Sequence, residues 1–168
     1  MKRFVYILLS ISLLLCLTGC NDNTTGAVTL YYLRKEIDFN SSTPLIVEFT
    51  QQTNSIPQNY EQIINQYFRG PASADLISPF PAEIQLKAFE ISSNQSSITL
   101  SYYTNNFSNS RRTIAFACLT KTLVSLTGIN AVEIIVEDMD SDAQEIFNFS
   151  IDSFLYIDSV SYDEITDK

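Results

Sequence analysis

The chain has no histidine and no tryptophan among its 168 residues. Without imidazole there is no histidine base, proton shuttle or metal ligand, which excludes most familiar hydrolytic machinery. Glycine is scarce, with four in all, at Gly19, Gly26, Gly70 and Gly128. Neither a G-x-S-x-G turn nor a phosphate-cradling loop can be built from them. The three cysteines, Cys16, Cys20 and Cys118, are too few for a disulfide scaffold. Basic residues are also few, 10 Lys and Arg against 19 Asp and Glu for a net charge of −9, and a body of that sign is repelled by nucleic acid. What is present is 45% hydrophobic and 17% charged residues, enough apolar material for one buried core and too much for general disorder.

Lys2 and Arg3 precede an apolar stretch over residues 4–17. It is shorter than the roughly 20 residues of a membrane-spanning helix and reads as a secretory signal. The stretch runs into Leu17-Thr18-Gly19-Cys20, which resembles the lipobox of bacterial lipoprotein precursors. That resemblance implies cleavage between Gly19 and Cys20, lipid attachment at Cys20 and a protein tethered to the outer side of the cell membrane. Two or three acyl chains, each buried methylene contributing about 0.8 kcal/mol, would hold it there firmly. Loss of residues 1–19 removes Lys2 and Arg3 but no acid, so 8 basic residues face 19 acidic ones and the mature charge is −11. Residues 1–19 are therefore expected to be a signal peptide and 20–27 a lipidated cysteine with a short polar tether. One domain follows over 28–158, then an acidic tail over 159–168. Cys118, set among Ile114, Phe116 and Leu119, is expected to be a small buried hydrophobe.

The pattern along the body alternates between two periods. Residues 28–33 are β-branched and aromatic, and Leu45, Val47 and Phe49 alternate with their neighbours, giving two strands. From Tyr60 the period becomes helical, since Tyr60, Ile63, Ile64, Tyr67 and Phe68 share one face. Pro57 suits its first turn, and Gly70-Pro71 ends it, glycine in the left-handed position and proline forbidding continuation. Residues 84–103 read as an antiparallel hairpin turning at 92–97, with a β-bulge near Ala88 where the apolar phase shifts. Asn109 or Ser110 can cap a second helix running to Thr127, apolar over a wide face and stopped by Gly128. Residues 131–137 form a further strand and 146–157 one or two more. The expected fold is α+β, a twisted, mainly antiparallel sheet with two helices packed on one face.

Thr29-Leu30-Tyr31-Tyr32, a helix ending Tyr67-Phe68-Arg69-Gly70-Pro71, Pro81 before the hairpin, Ile98-Thr99-Leu100-Ser101 followed by Phe107, and then a helix and Val132-Glu133-Ile134-Ile135-Val136 together resemble the GerMN domain of sporulation and spore-germination lipoproteins. The likeness covers residues 28–139. It implies a split β-α-β arrangement outside the cytoplasmic membrane and a role in envelope assemblies without catalysis. The chain departs from the family in two ways. It has room for one such domain where the sporulation member carries two in tandem, and it has Leu100-Ser101 where the family pattern places an Asp before the Ser.

Asp138, Asp140 and Asp142 have the spacing that opens an EF-hand loop, in which alternate positions aim oxygens at one hard cation. Ala143 replaces the turn glycine and Phe149 the twelfth-position Glu, so a solvated acidic loop with weak cation association is expected rather than a metal site. Arg111 and Arg112 open the second helix, where the macrodipole disfavours cations, so a compensating acid is expected nearby. They are the candidates for contact with a partner's carboxylates or a phosphate. A Ser-Lys nucleophile could draw on Lys87 or Lys121, but neither lies in a motif. The adjacent pairs Tyr31-Tyr32 and Tyr102-Tyr103 place one ring on each sheet face, so some rings could form an exposed strip, although most must pack inside. The reading is a non-catalytic, lipid-anchored envelope protein that needs no cofactor, binds no nucleic acid and contacts envelope proteins. The alternative is a lipoprotein that captures a small ligand or wall fragment in a concave apolar pocket.

Overall fold

The β-branched and aromatic run after Gly26 forms the first strand of the computed structural model, which describes residues 26–36, 44–53, 59–104 and 107–154. Gly19, Cys20, residues 21–25 of the tether, Pro57 and the acidic tail lie outside the described residues. Strand β1 (Gly26–Arg34) starts two residues before its expected position and pairs antiparallel with β2 (Ile46–Thr53) from Gly26 to Leu33. Helix α1 follows over Tyr60–Arg69, then a two-residue β3 (Leu76–Ile77) that the sequence does not announce. The hairpin is β4 (Gln85–Ile91) and β5 (Ser96–Tyr102), with its register shift between Leu86 and Ala88, where the bulge is expected. Helix α2 spans Asn109–Thr127, strands β6 and β7 span Ala131–Asp138 and Gln144–Ser150, and a 3-10 turn follows at Ile151–Phe154.

The fold is α+β, with β5, α2 and β6 forming the β-α-β unit and β5 parallel to β6. The strands divide between two sheets, ordered β2-β1-β3 and β4-β5-β6-β7, where the sequence pattern suggests one. The reason lies at the second edge of β1, which β3 pairs only at Leu33 and Arg34. Further along that edge, hydroxyls from the helices take the place of a strand. The Tyr31 N–H donates to Thr122 Oγ1 of α2 at 3.0 Å, and Tyr67 of α1 donates its phenol to the Tyr31 carbonyl at 3.0 Å. A strand edge finished by side chains offers no template for further pairing.

Both helices follow their patterns. Helix α1 buries Ile64, Tyr67 and Phe68, with Tyr60 and Ile63 packed against the core. Asn59 caps its start, accepting from the Gln62 N–H. Gly70 ends it at φ 94° and ψ 167°, a positive-φ region beyond the left-handed helical one and open essentially to glycine. Helix α2 is capped by Ser108, which accepts from the Arg111 N–H, and not by Asn109 or Ser110. Those two residues already lie in the first turn, and the cap must precede it. The helix is buried over most of its circumference, from Ala115 to Leu123, because it packs against β1 on one side and β6 on the other. Cys118 sits there fully buried, as expected.

Candidate functional site

Two polar regions among the described residues bear on function. The first is a shallow cleft of about 340 Å³ at the end of β5 and β6, lined by Ser101, Glu137, Asp138, the β6–β7 turn from Ser141 to Gln144, and Lys87 from the bulge. Asp138 organises it. One carboxylate oxygen accepts from the Asp140 N–H at 3.2 Å and the Thr104 N–H at 3.3 Å, and the other accepts from the Ser141 hydroxyl at 3.1 Å. This is an Asx-type turn, in which the side chain replaces a backbone acceptor. The Asp140 amide is the main reason that the Asp138 carboxyl titrates below its ordinary value, with partial desolvation opposing it. Asp140 and Asp142 are exposed. Among the described residues no three acids or cysteines come close enough to hold a metal ion, so the EF-like spacing of Asp138, Asp140 and Asp142 shapes a loop and assembles no cage.

This arrangement sets a pH dependence. A carboxyl held below its unfolded value of about 4 contributes stability that is complete above that range and lost as pH falls through the folded value. Asp138→Asn is therefore expected to unfold at lower urea than wild type at pH 7. The gap between the two proteins should begin to narrow as pH falls below the unfolded value of about 4 and close as it passes the lower folded value, where the wild-type carboxyl protonates. A gap that stays constant with pH would remove the carboxylate from the account.

The lysine of the cleft is not held as a catalytic base would be. Lys87 is exposed and its ammonium donates to Gln85 Oε1 at 3.0 Å, whereas a lysine acting as base is held in a desolvated setting. Lys121 lies over the Tyr31 ring, 5.6 Å from its centroid.

The second region is the start of α2, where the two arginines part company. Arg112 pairs with Glu145 of β7 at 2.7 Å, donates to Asn109 Oδ1 at 3.1 Å and lies 5.2 Å over the Phe147 ring. Glu145 is thus the compensating acid expected from the dipole argument, and Arg112 is occupied within the domain. Arg111 is exposed, with its guanidinium 5.9 Å over the Phe107 ring. Of the two it is the one that faces outward.

The tyrosines go mostly inside. Tyr32, Tyr67 and Tyr102 are 0–1% exposed. Burial pushes the Tyr67 phenol well above its usual value and that of Tyr102 up to about 12, so both stay protonated at neutral pH. Tyr31 is half-buried and its hydroxyl donates to Glu48 at 3.0 Å. Among the described residues the exposed large apolar side chains are Ile77, Ile91, Tyr103 and Ile146, one aromatic and three aliphatic. Sequence reasoning missed the Tyr31–Tyr67–Thr122 node. Its one visible signal is Thr120 and Thr122 inside an otherwise apolar helical face.

Among the described residues no helix is long and apolar enough to cross a membrane. A family model described as Germane, sporulation and spore germination, matches residues 29–142. Among solved structures, the tandem GerMN domains of the sporulation protein GerM from Bacillus subtilis superpose with a TM-score of 0.53 at 17% identity, over 76% of this chain and 46% of that one. The chain thus spans less than half of that structure. A candidate lipoprotein from Clostridium perfringens superposes with a TM-score of 0.42 at 19% identity, over 77% of this chain and 92% of that one. No curated protein sequence matches. With two-thirds of its length matched by one family model and its strands and helices arranged as in a GerMN domain, the chain belongs to the Germane family of sporulation and spore germination.

Proposed function

We propose that this chain is an extracytoplasmic lipoprotein anchored through Cys20, whose GerMN-like domain is a non-catalytic contact module in the cell envelope, working in sporulation or spore germination. The observation that carries the reading is positional. The family match begins at residue 29, nine residues after the cysteine of Leu17-Thr18-Gly19-Cys20. A lipid on Cys20 would therefore hold the domain close to the bilayer, where its neighbours are membrane and wall proteins. The cleft supports contact over catalysis, because its one lysine is solvent-facing and the Asp138 carboxylate is engaged by the turn. Its polar lining does not favour capture of a small apolar ligand, which calls for a concave apolar cavity. Arg111, exposed on the Phe107 ring, is the side chain best placed to meet a partner's carboxylate.

The test is affinity capture from envelope extracts with the tagged chain. Recovery of one envelope protein in stoichiometric amount, weakened by Arg111→Glu, is expected. Recovery of none, together with thermal stabilisation by a wall fragment or small metabolite, would replace contact with ligand capture.

A further inference from the structure

The cleft at the end of β5 and β6 holds polar groups that the Asp138 turn does not use. Ser101, Glu137 and Gln144 stand in one row across the sheet, because Ser101 faces Glu137 in the parallel pair and Glu137 faces Gln144 in the antiparallel one. On β5, Ile98, Leu100 and Tyr102 are buried in the core. Side chains alternate along a strand, so Ser101 points to the opposite face and into the cleft that it lines. It is 5% exposed, yet its hydroxyl makes no hydrogen bond among the described residues. A serine this enclosed ordinarily has a partner, and the cleft is the side from which one can come.

The carboxylates of Glu137 and Asp142, which line the same cleft, also make no ion pair or hydrogen bond among the described residues. Lys87 does not neutralise them, since its ammonium is held by Gln85. Beside them on the same sheet face, Ile135 of β6 faces Ile146 of β7. Ile135 is half-buried and Ile146 is 58% exposed, so an aliphatic step leads up to the acceptors.

Building on the contact reading above, we infer that this cleft receives the guanidinium of an arginine on the envelope protein partner. Charge selects a cation, because three carboxylates line the cleft against one lysine and the whole chain, at −9, steers basic groups toward itself. A metal ion needs converging oxygens, and among the described residues no three acids converge. A guanidinium does not need them to converge. Its planar fork of five donors can span separated acceptors, here the Glu137 and Asp142 carboxylates and the Ser101 hydroxyl, whereas an ammonium offers three donors from one point. The methylene stem behind it can lie along Ile135 and Ile146. A volume of about 340 Å³ is near the lower limit for small-molecule pockets and suits one inserted side chain.

The test is a titration of the isotope-labelled full chain in detergent with a blocked Gly-Arg-Gly peptide, followed by amide chemical shifts. Saturable shifts centred on Ser101, Glu137 and Asp142 are expected, weakened by salt and absent when citrulline, the uncharged isostere, replaces arginine. Glu137→Gln and Asp142→Asn should each weaken binding about threefold to fivefold, the range of an exposed ion pair. Ser101→Ala should weaken it too while leaving the thermal midpoint unchanged, because that hydroxyl bonds nothing inside the domain. No shift, or shifts spread over acids elsewhere such as Glu48 and Glu90, would overturn the assignment. A blocked Gly-Lys-Gly peptide that binds as tightly would also overturn it, pointing to an ammonium such as a wall peptide carries. Affinity capture separates this inference from the reading beneath it. Recovery of an envelope protein that Glu137→Gln with Asp142→Asn leaves unchanged would refute the cleft and keep the contact role, whereas no recovery by the unsubstituted chain would refute the contact role and its partner together.

Discussion

Phe116→Ala is expected to lower the unfolding free energy by about 3–5 kcal/mol, a large share of the 5–15 kcal/mol typical of a domain. Phe116 is 2% exposed, and its ring lies 5.1 Å from that of Phe147, 5.9 Å from Phe149 and 6.4 Å from Phe80. It ties the central helix to the edge strand β7 and to the segment between β3 and β4. Removing it opens a cavity that rigid neighbours on a helix and a strand cannot close, so the cost is the lost transfer energy plus the cavity term. Urea denaturation followed by circular dichroism measures the effect. Phe116→Leu should fall between wild type and alanine, because it refills part of the volume. A loss below about 1 kcal/mol for alanine, the range of a surface substitution, would mean that β7 is not packed on α2 as described.

Much of this packing is legible in the residues. The spacing of Tyr60, Ile63, Ile64, Tyr67 and Phe68 announces α1, because a helix needs an apolar face to stay on the core, and all five reach it. The phase shift between Leu86 and Ala88 announces the bulge, since the side-chain period of a strand is two and an extra residue must break it. The wide apolar face of α2 announces its burial, though not that it contacts a strand of each sheet. The division into two sheets is hidden because strand pairing is not local. Nothing in residues 26–34 says that β1 takes β2 on one side and hydroxyls of Tyr67 and Thr122 on much of the other. The acidic segment is half legible. Its composition marks a loop, but the role of Asp138 depends on the Thr104, Asp140 and Ser141 donors that the fold brings to it. Arg112 illustrates the reverse case, since the helix dipole argument calls for an acid and only the fold identifies it as Glu145, 33 residues away.

The second large effect concerns the anchor. Cys20→Ala is expected to abolish incorporation of labelled fatty acid and to leave the chain in a longer form that retains residues 1–19. The lipobox resemblance implies that lipidation of the thiol precedes cleavage, and alanine has no nucleophile to accept the lipid. Cys118→Ala is the control. That thiol is fully buried in the core, and its loss should leave labelling unchanged. Cys20→Ser distinguishes chemistry from size, because a hydroxyl of similar volume is far less nucleophilic than a thiolate and should fail as alanine does.

The most direct measurement is the mass of the N-terminal peptide of the protein extracted from membranes of cells that express the full chain. A peptide that begins at Cys20 and carries a diacylglyceryl thioether places an acidic, imidazole-free contact domain at the bilayer surface. A peptide that still holds Gly19 joined to an unmodified Cys20 would contradict that placement.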